Sequence, residues 1–111
     1  HPVFRTRTNV PGVDIATQPR STVRAVSDGY VFEIIPFRDF GEVVLVKHGT
    51  YYTAYGNLSS VYARKNQVVQ QGDVLGLSGD EENLRGEVLF FLVREGSEFV
   101  DPETWLQESI Q

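Results

Sequence analysis

The chain of 111 residues contains no cysteine and no methionine. Without cysteine there are no disulfides and no thiolate metal sites, which is compatible with an oxidising compartment but does not establish one. Histidine is scarce: His1 and His48 are the only two. No apolar run approaches the ~18 residues that a membrane-spanning helix needs. No long stretch shows helical periodicity. Positive charge is also short, with a net charge of -5. That balance argues against a nucleic-acid binder, which is usually basic overall with a basic face. The charge is uneven. Residues 1–24 carry four Arg and one Asp, whereas residues 80–111 carry nine acids and two Arg. The acidic C-terminal part reads as a solvated surface. There is no signal peptide and no initial Met, so the chain reads as a piece of a longer protein.

What is present is a set of short apolar or alternating segments between Gly, Pro, Asn and Asp punctuation. "GVDIAT" (12–17), "TVRAV" (22–26) and "GYVFEIIPF" (29–37) read as strands. "EVVLVKHG" (42–49) and "YYTAYGNL" (51–58) read as a hairpin turning at Gly49-Thr50. Residues 61–79 read as short strands around Asn66 and Gly72, with "VVQQGDVLG" as a hairpin tucked under the main sheet. "EVLFFLVRE" (87–95) is the most apolar strand. Only "DPETWLQESIQ" (101–111) has a helical signature, with Asp101 as N-cap and Pro102 in the first turn. One all-β domain of sandwich or barrel-like type follows, with a short C-terminal helical turn. The hairpin also occurs in biotinyl and lipoyl carriers, but those need an exposed hairpin lysine, usually flanked by Met or Asp. Here Lys47 is mid-strand and Lys65 is in "ARKNQ". Ser59-Ser60 and Asp80-Glu81-Glu82 have no histidine or spaced partner to activate them.

Taken in order, "GVDIAT", "TVRAVSDGYV", "GEVVLVKHG", "YYTAYGNLS", "VVQQGDVLGLSG", "GEVLFFLV" and "VDPETWL" resemble the lysostaphin-type, or LytM-type, zinc endopeptidases. The resemblance runs from about residue 10 to 106. It implies a LytM-type antiparallel β-sandwich, akin to a duplicated hybrid motif. Active members cleave peptide cross-links of bacterial cell wall with zinc held by His and Asp of His-x-x-x-Asp and the second His of His-x-His. A catalytic zinc needs three protein ligands and one open position. Position by position, this chain departs from that set. Val10 stands at the first ligand, Asp14 is kept, and Asn57 replaces an auxiliary His. Val88 and Phe90 replace both His of the His-x-His pair. His48, in "VKHG", sits where the family often has a His that is not a ligand. The resemblance therefore implies a pseudoenzyme without a cofactor.

Apolar residues at the former ligand positions either fill the old metal cavity as core or floor an open groove. Two-residue alternation places Val88 and Phe90 on one strand face, continued by Leu92 and Arg94. The same reasoning places Tyr55 and Asn57 on one face. The resemblance also places Phe37 and Phe40 of "PFRDFGE" in a loop that in this family borders the groove. The expected partner-binding set is Val10, Asp14, Phe40, Tyr55, Asn57, Val88, Phe90 and Arg94, with aromatics and Arg as interface anchors. The chain is most similar to the EnvC type of murein hydrolase activator. That similarity implies a regulatory helix of an N-acetylmuramoyl-L-alanine amidase as partner, a periplasmic location, and an upstream coiled coil that meets a divisome regulator. A scaffold that docks an envelope protein or glycan without activating an enzyme is the alternative.

Overall fold

The structure, a computed structural model, describes the backbone of residues 5–7 together with residues 12–96 and 98–102. Among the described residues eleven strands follow in chain order: β1 (Arg5–Arg7), β2 (Val13–Ala16), β3 (Thr22–Arg24), β4 (Gly29–Phe37), β5 (Gly41–His48), β6 (Tyr51–Gly56), β7 (Ser60–Val61), β8 (Val68–Val69), β9 (Val74–Leu77), β10 (Val88–Glu95) and β11 (Glu98–Val100). Eight form one antiparallel sheet in the order β1-β2-β10-β6-β5-β4-β8, with β11 on the far end of β10. The other three make a small sheet, β3-β9-β7. The all-β class and the sandwich of the sequence reading are both present.

Alternation builds the two layers. Val44, Val46, Tyr55, Phe91 and Val93 point to the inner face, where Val23 and Leu75 of the small sheet close the main core. Their neighbours Val43, Ala54 and Phe90 point to the outer face and gather around Phe40. A paired residue shares its partner's face, so the register Tyr55↔Phe91 and Gly56↔Phe90 sets which side chain goes where.

The β5–β6 hairpin turns at Gly49-Thr50 as expected, with Gly49 at φ 71°, a left-handed conformation that costs glycine little. Strand β4 covers the same residues, 29–37, as the sequence reading. Three features differ. "VVQQGDVLG" turns at Gly72-Asp73, but its two strands do not pair with each other: β8 joins β4 in the main sheet and β9 joins β3 and β7 in the small one. It is a crossover between layers rather than a hairpin. Strands β1 and β11 were not foreseen, because "RTR" and "EFV" are too short to show a period. Of the expected helical segment 101–111, residues beyond Pro102 lie outside those described.

Candidate functional site at the outer face of the main sheet

Asp14 on β2 pairs directly with Phe90 on β10, and Val88 pairs with Ala16. The Phe90 ring lies where two glycines leave room. A Cβ on Gly12 would come within 2.7 Å of it, and one on Gly56 within 3.1 Å. Phe40, carried by the tight turn between β4 and β5, packs on it with ring centroids 4.2 Å apart. The turn has Asp39 and Gly41 at positive φ, and the Phe40 amide donates to the Phe37 carbonyl, which folds the ring back over the sheet. Phe90 is 3% exposed and Phe40 4%. They fill the place as core and do not floor an open groove, because the glycines and the turn already enclose them.

Asn57 is also built in. It leaves β6 at φ 60°, a conformation that Asn tolerates better than most residues. Its amide donates to the Phe40 carbonyl at 2.6 Å, and its Nδ2 donates to the carbonyls of Gly86 and Val88, each at 2.9 Å. Gly79 must lack a side chain there, since its Cβ would meet Asn57 Nδ2 at 2.3 Å. Asn57 thus clamps the end of β6 to the start of β10.

Tyr55 corrects the sequence reading. It faces the inner core, edge-on to Phe91 at 5.5 Å. The Val26 amide donates to its hydroxyl, and the Thr53 hydroxyl lies 2.9 Å away. Burial pushes its pKa up to about 12. The alternation used to join Tyr55 with Asn57 ends at Gly56, where the chain turns out of the strand. Val10 lies outside the described residues.

Asp14 is not free. Arg85, on the 79–87 loop, donates from Nε to both carboxylate oxygens at 3.0 and 3.1 Å and from Nη2 to Oδ2. The guanidinium lies over the Phe40 ring, 4.6 Å from its centroid. The hydrogen bonds to Asp14 raise the Arg85 pKa, and the charge of Asp39 adds to this. Nothing in the local sequence announces the pair, whose members are 71 residues apart.

Further along the outer face the surface is apolar and open. Phe32, Phe37 and Phe99 are 40%, 47% and 51% exposed. Phe32 stands there because of a β-bulge between Val31 and Glu33, which turns two successive side chains outward. Its ring meets Tyr52 edge-on at 5.5 Å. Tyr52 has a cation on either side: Lys47 Nζ at 5.6 Å and the Arg94 guanidinium at 5.0 Å from its centroid. The Arg94 Nε is buried without a hydrogen-bond partner. Arg94 therefore sits on the expected face, whereas Phe32 and Phe99 were missed: a bulge and a three-residue strand leave no readable period.

Residues 8–102 match peptidase family M23. The chain belongs to that family. It is 35% identical over 97 residues to the Pseudomonas aeruginosa Lipoprotein NlpD/LppB homolog, covering 86% of this chain and 32% of that protein. It is 33% identical over 92 residues to the Peptidoglycan DD-endopeptidase ShyA of Vibrio cholerae, covering 82% of this chain and 21% of that one. Among solved structures, a zinc containing peptidase from Vibrio cholerae superposes with a TM-score of 0.73 at 29% identity, over 80% of this chain and 28% of the other. The chain thus spans about a third or less of these relatives. These named relatives are a lipoprotein and a peptidoglycan DD-endopeptidase, and no helix among the described residues is long and apolar enough to cross a membrane.

A zinc ion does not fit the residues present at this site. Asp14 is engaged by Arg85, Phe90 offers no donor, and the Asn57 Nδ2 is spent on two carbonyls. Among the described residues, no group of three or more His, Cys, Asp or Glu could hold a metal ion.

Proposed function

We propose that this domain is a catalytically inactive M23 domain that binds and activates a peptidoglycan N-acetylmuramoyl-L-alanine amidase in the periplasm, supporting septal wall splitting. The observation that carries the reading is the Asp14 site: a carboxylate paired with Arg85 and facing Phe90 is a poor ligand set for the zinc ion that would acidify a bound water. What that face offers instead is a strip for docking. Exposed Phe32, Phe37 and Phe99 supply apolar contact, and Arg94 and Lys47 supply positive charge at one end. An amphipathic helix with an acidic residue past its apolar face is complementary to that arrangement. The resemblance to murein hydrolase activators supports an amidase's regulatory helix as that segment. Activation is then a shift of population, in which the strip competes with the amidase for its own blocking helix. An upstream coiled coil with its divisome regulator belongs to the same proposal.

The test is a peptidoglycan hydrolysis assay with purified domain and cognate amidase. The domain alone should release nothing, the mixture should exceed the amidase alone, and Arg94→Glu should abolish the gain while keeping its melt. Cleavage of a stem-peptide cross-link by the domain alone overturns the reading. Amidase capture without activation favours the scaffold.

A further inference from the structure

A half-buried carboxylate is tolerated when a cation with matched hydrogen bonds stands against it. At Asp14 that cation comes from the chain itself. The Asp14 and Arg85 side chains are 13% and 25% exposed, so the pair is shielded from water on most sides. Two guanidinium donors, Nε and Nη2, make three hydrogen bonds to the two oxygens, and the Phe40 ring supports the guanidinium from one face. The loop that carries Arg85 is held by other bonds as well. Asn83 Nδ2 lies 3.4 Å from the carbonyls of Asn57 and Leu58, the Gly86 amide donates to the Asn83 carbonyl, and Arg20 pairs with Asp80 at 3.4 Å. Its closed position delivers the guanidinium to the spot where Asp14 meets Phe90.

We propose that Arg85 is the resident cation of this site, standing against Asp14 in place of a metal ion, and that it closes the site to divalent metals while fixing the 79–87 loop. A divalent ion approaching Asp14 must either displace the guanidinium, stripping the carboxylate of three hydrogen bonds, or sit beside it against like charge. Missing histidines alone would weaken metal binding. Arg85 adds an active barrier that would persist after a histidine is restored. This inference does not depend on which partner the outer face takes.

The experiment restores one ligand and asks whether Arg85 still excludes zinc. Phe90→His returns an imidazole directly opposite Asp14. Titration calorimetry with zinc, and cobalt absorption spectra, compare this variant with Phe90→His/Arg85→Ala. Removal of Arg85 should tighten zinc binding by roughly tenfold or more, the size of effect that groups around a metal ligand commonly exert. If Phe90→His is too unstable to titrate, Val88→His places a new imidazole at the half-buried neighbouring position on the same face, which is not a ligand position of the family pattern, and is compared with and without Arg85 in the same way. Hydrogen exchange on the otherwise unmodified protein supplies a second reading. Asp14→Asn and Arg85→Ala should each speed exchange in the 79–87 loop, and the pair combined should do no more than either alone. Equal zinc affinity with and without Arg85, one tightly held zinc in the unmodified protein, or unchanged loop exchange in Arg85→Ala would overturn the proposal.

Discussion

The main sheet has two faces built from the same strands, and they have been put to different ends. On the inner face, Val44, Val46, Phe91 and Val93 are wholly buried, because the small sheet lies over them. On the outer face, the residues one step along the chain find a cover at one end only, where the Phe40 turn and Arg85 close over Phe90. The rest stays open, with Phe32, Phe37 and Phe99 in water. The inner face must keep its shape to keep the fold. The outer face has no second layer to match, so ligand residues there can be exchanged for apolar ones with little consequence for the core. In this chain Phe90 is packed as core at that end, Asp14 is paired with Arg85 beside it, and Phe32, Phe37 and Phe99 are left open.

The largest expected effect comes from removing one ring from each face. Phe91→Ala opens a cavity under the small sheet and should cost near 5 kcal/mol, the upper end of about 3–5 kcal/mol for such a change. Phe90→Ala should cost less, about 3 kcal/mol, because the Phe40 turn can settle into the space. Urea denaturation measures both. Equal losses would show that the two faces do not differ at this position.

Tyr55 tests the inner face by pH. Burial holds its folded pKa at about 12, above the ordinary tyrosine value of 10.0, so the native state keeps a proton that the unfolded chain releases. Stability should therefore fall as pH rises from 10 toward 12, by on the order of 2–3 kcal/mol from this group. Tyr55→Phe should flatten that part of the profile. At neutral pH it should lose about 1–2 kcal/mol, since the hydrogen bonds of the hydroxyl with the Val26 amide and the Thr53 hydroxyl are removed. An unchanged alkaline slope would assign the loss to other tyrosines.

His48 gives a smaller effect on the acid side. Burial lowers its pKa below 6.5, against the opposing pull of the Asp28 carbonyl and the Asp28 charge. Its Nδ1 donates to that carbonyl at 2.7 Å, and its Nε2 lies 2.7 Å from the Thr53 hydroxyl. The unfolded chain binds a proton there before the native one does. The contribution is full above about pH 6.5 and is lost as pH falls through the folded value. Melts between pH 7.5 and 5 should show this decline, and His48→Gln should reduce it.

The inner face was largely readable from the residues, and the outer one was not. Period-2 apolar patterns located β4, the β5–β6 hairpin and β10, because both faces of these strands are apolar enough to stand out from the turns. That Val88 and Phe90 share a strand face and bring no metal donor to it was legible from the residues. The closure of the site was not. Arg85 reaches Asp14 from a distant loop, and such a pair leaves no mark in local sequence. Asn57 escaped because a strand's alternation says nothing about where the strand ends, and Phe32 because a bulge shifts the alternation by one.

The smallest stability effect is expected where the comparison is sharpest. Phe32→Ser and Phe99→Ser remove rings that are 40% and 51% exposed. Each should change stability by less than about 1 kcal/mol, since little apolar area leaves the core and the Phe32–Tyr52 contact is a single edge-on pair. If the strip is a docking surface, the same substitutions should weaken amidase capture and lower activation, as loss of an aromatic anchor does at an interface. Arg94→Lys adds a control for the charge at the end of the strip. It keeps the cation beside Tyr52 but removes the forked guanidinium, and should lose part of the effect of Arg94→Glu. Variants that melt like the parent and bind like the parent would make the open aromatics incidental, and the outer face would then owe its apolar character to the packing around Phe90 alone.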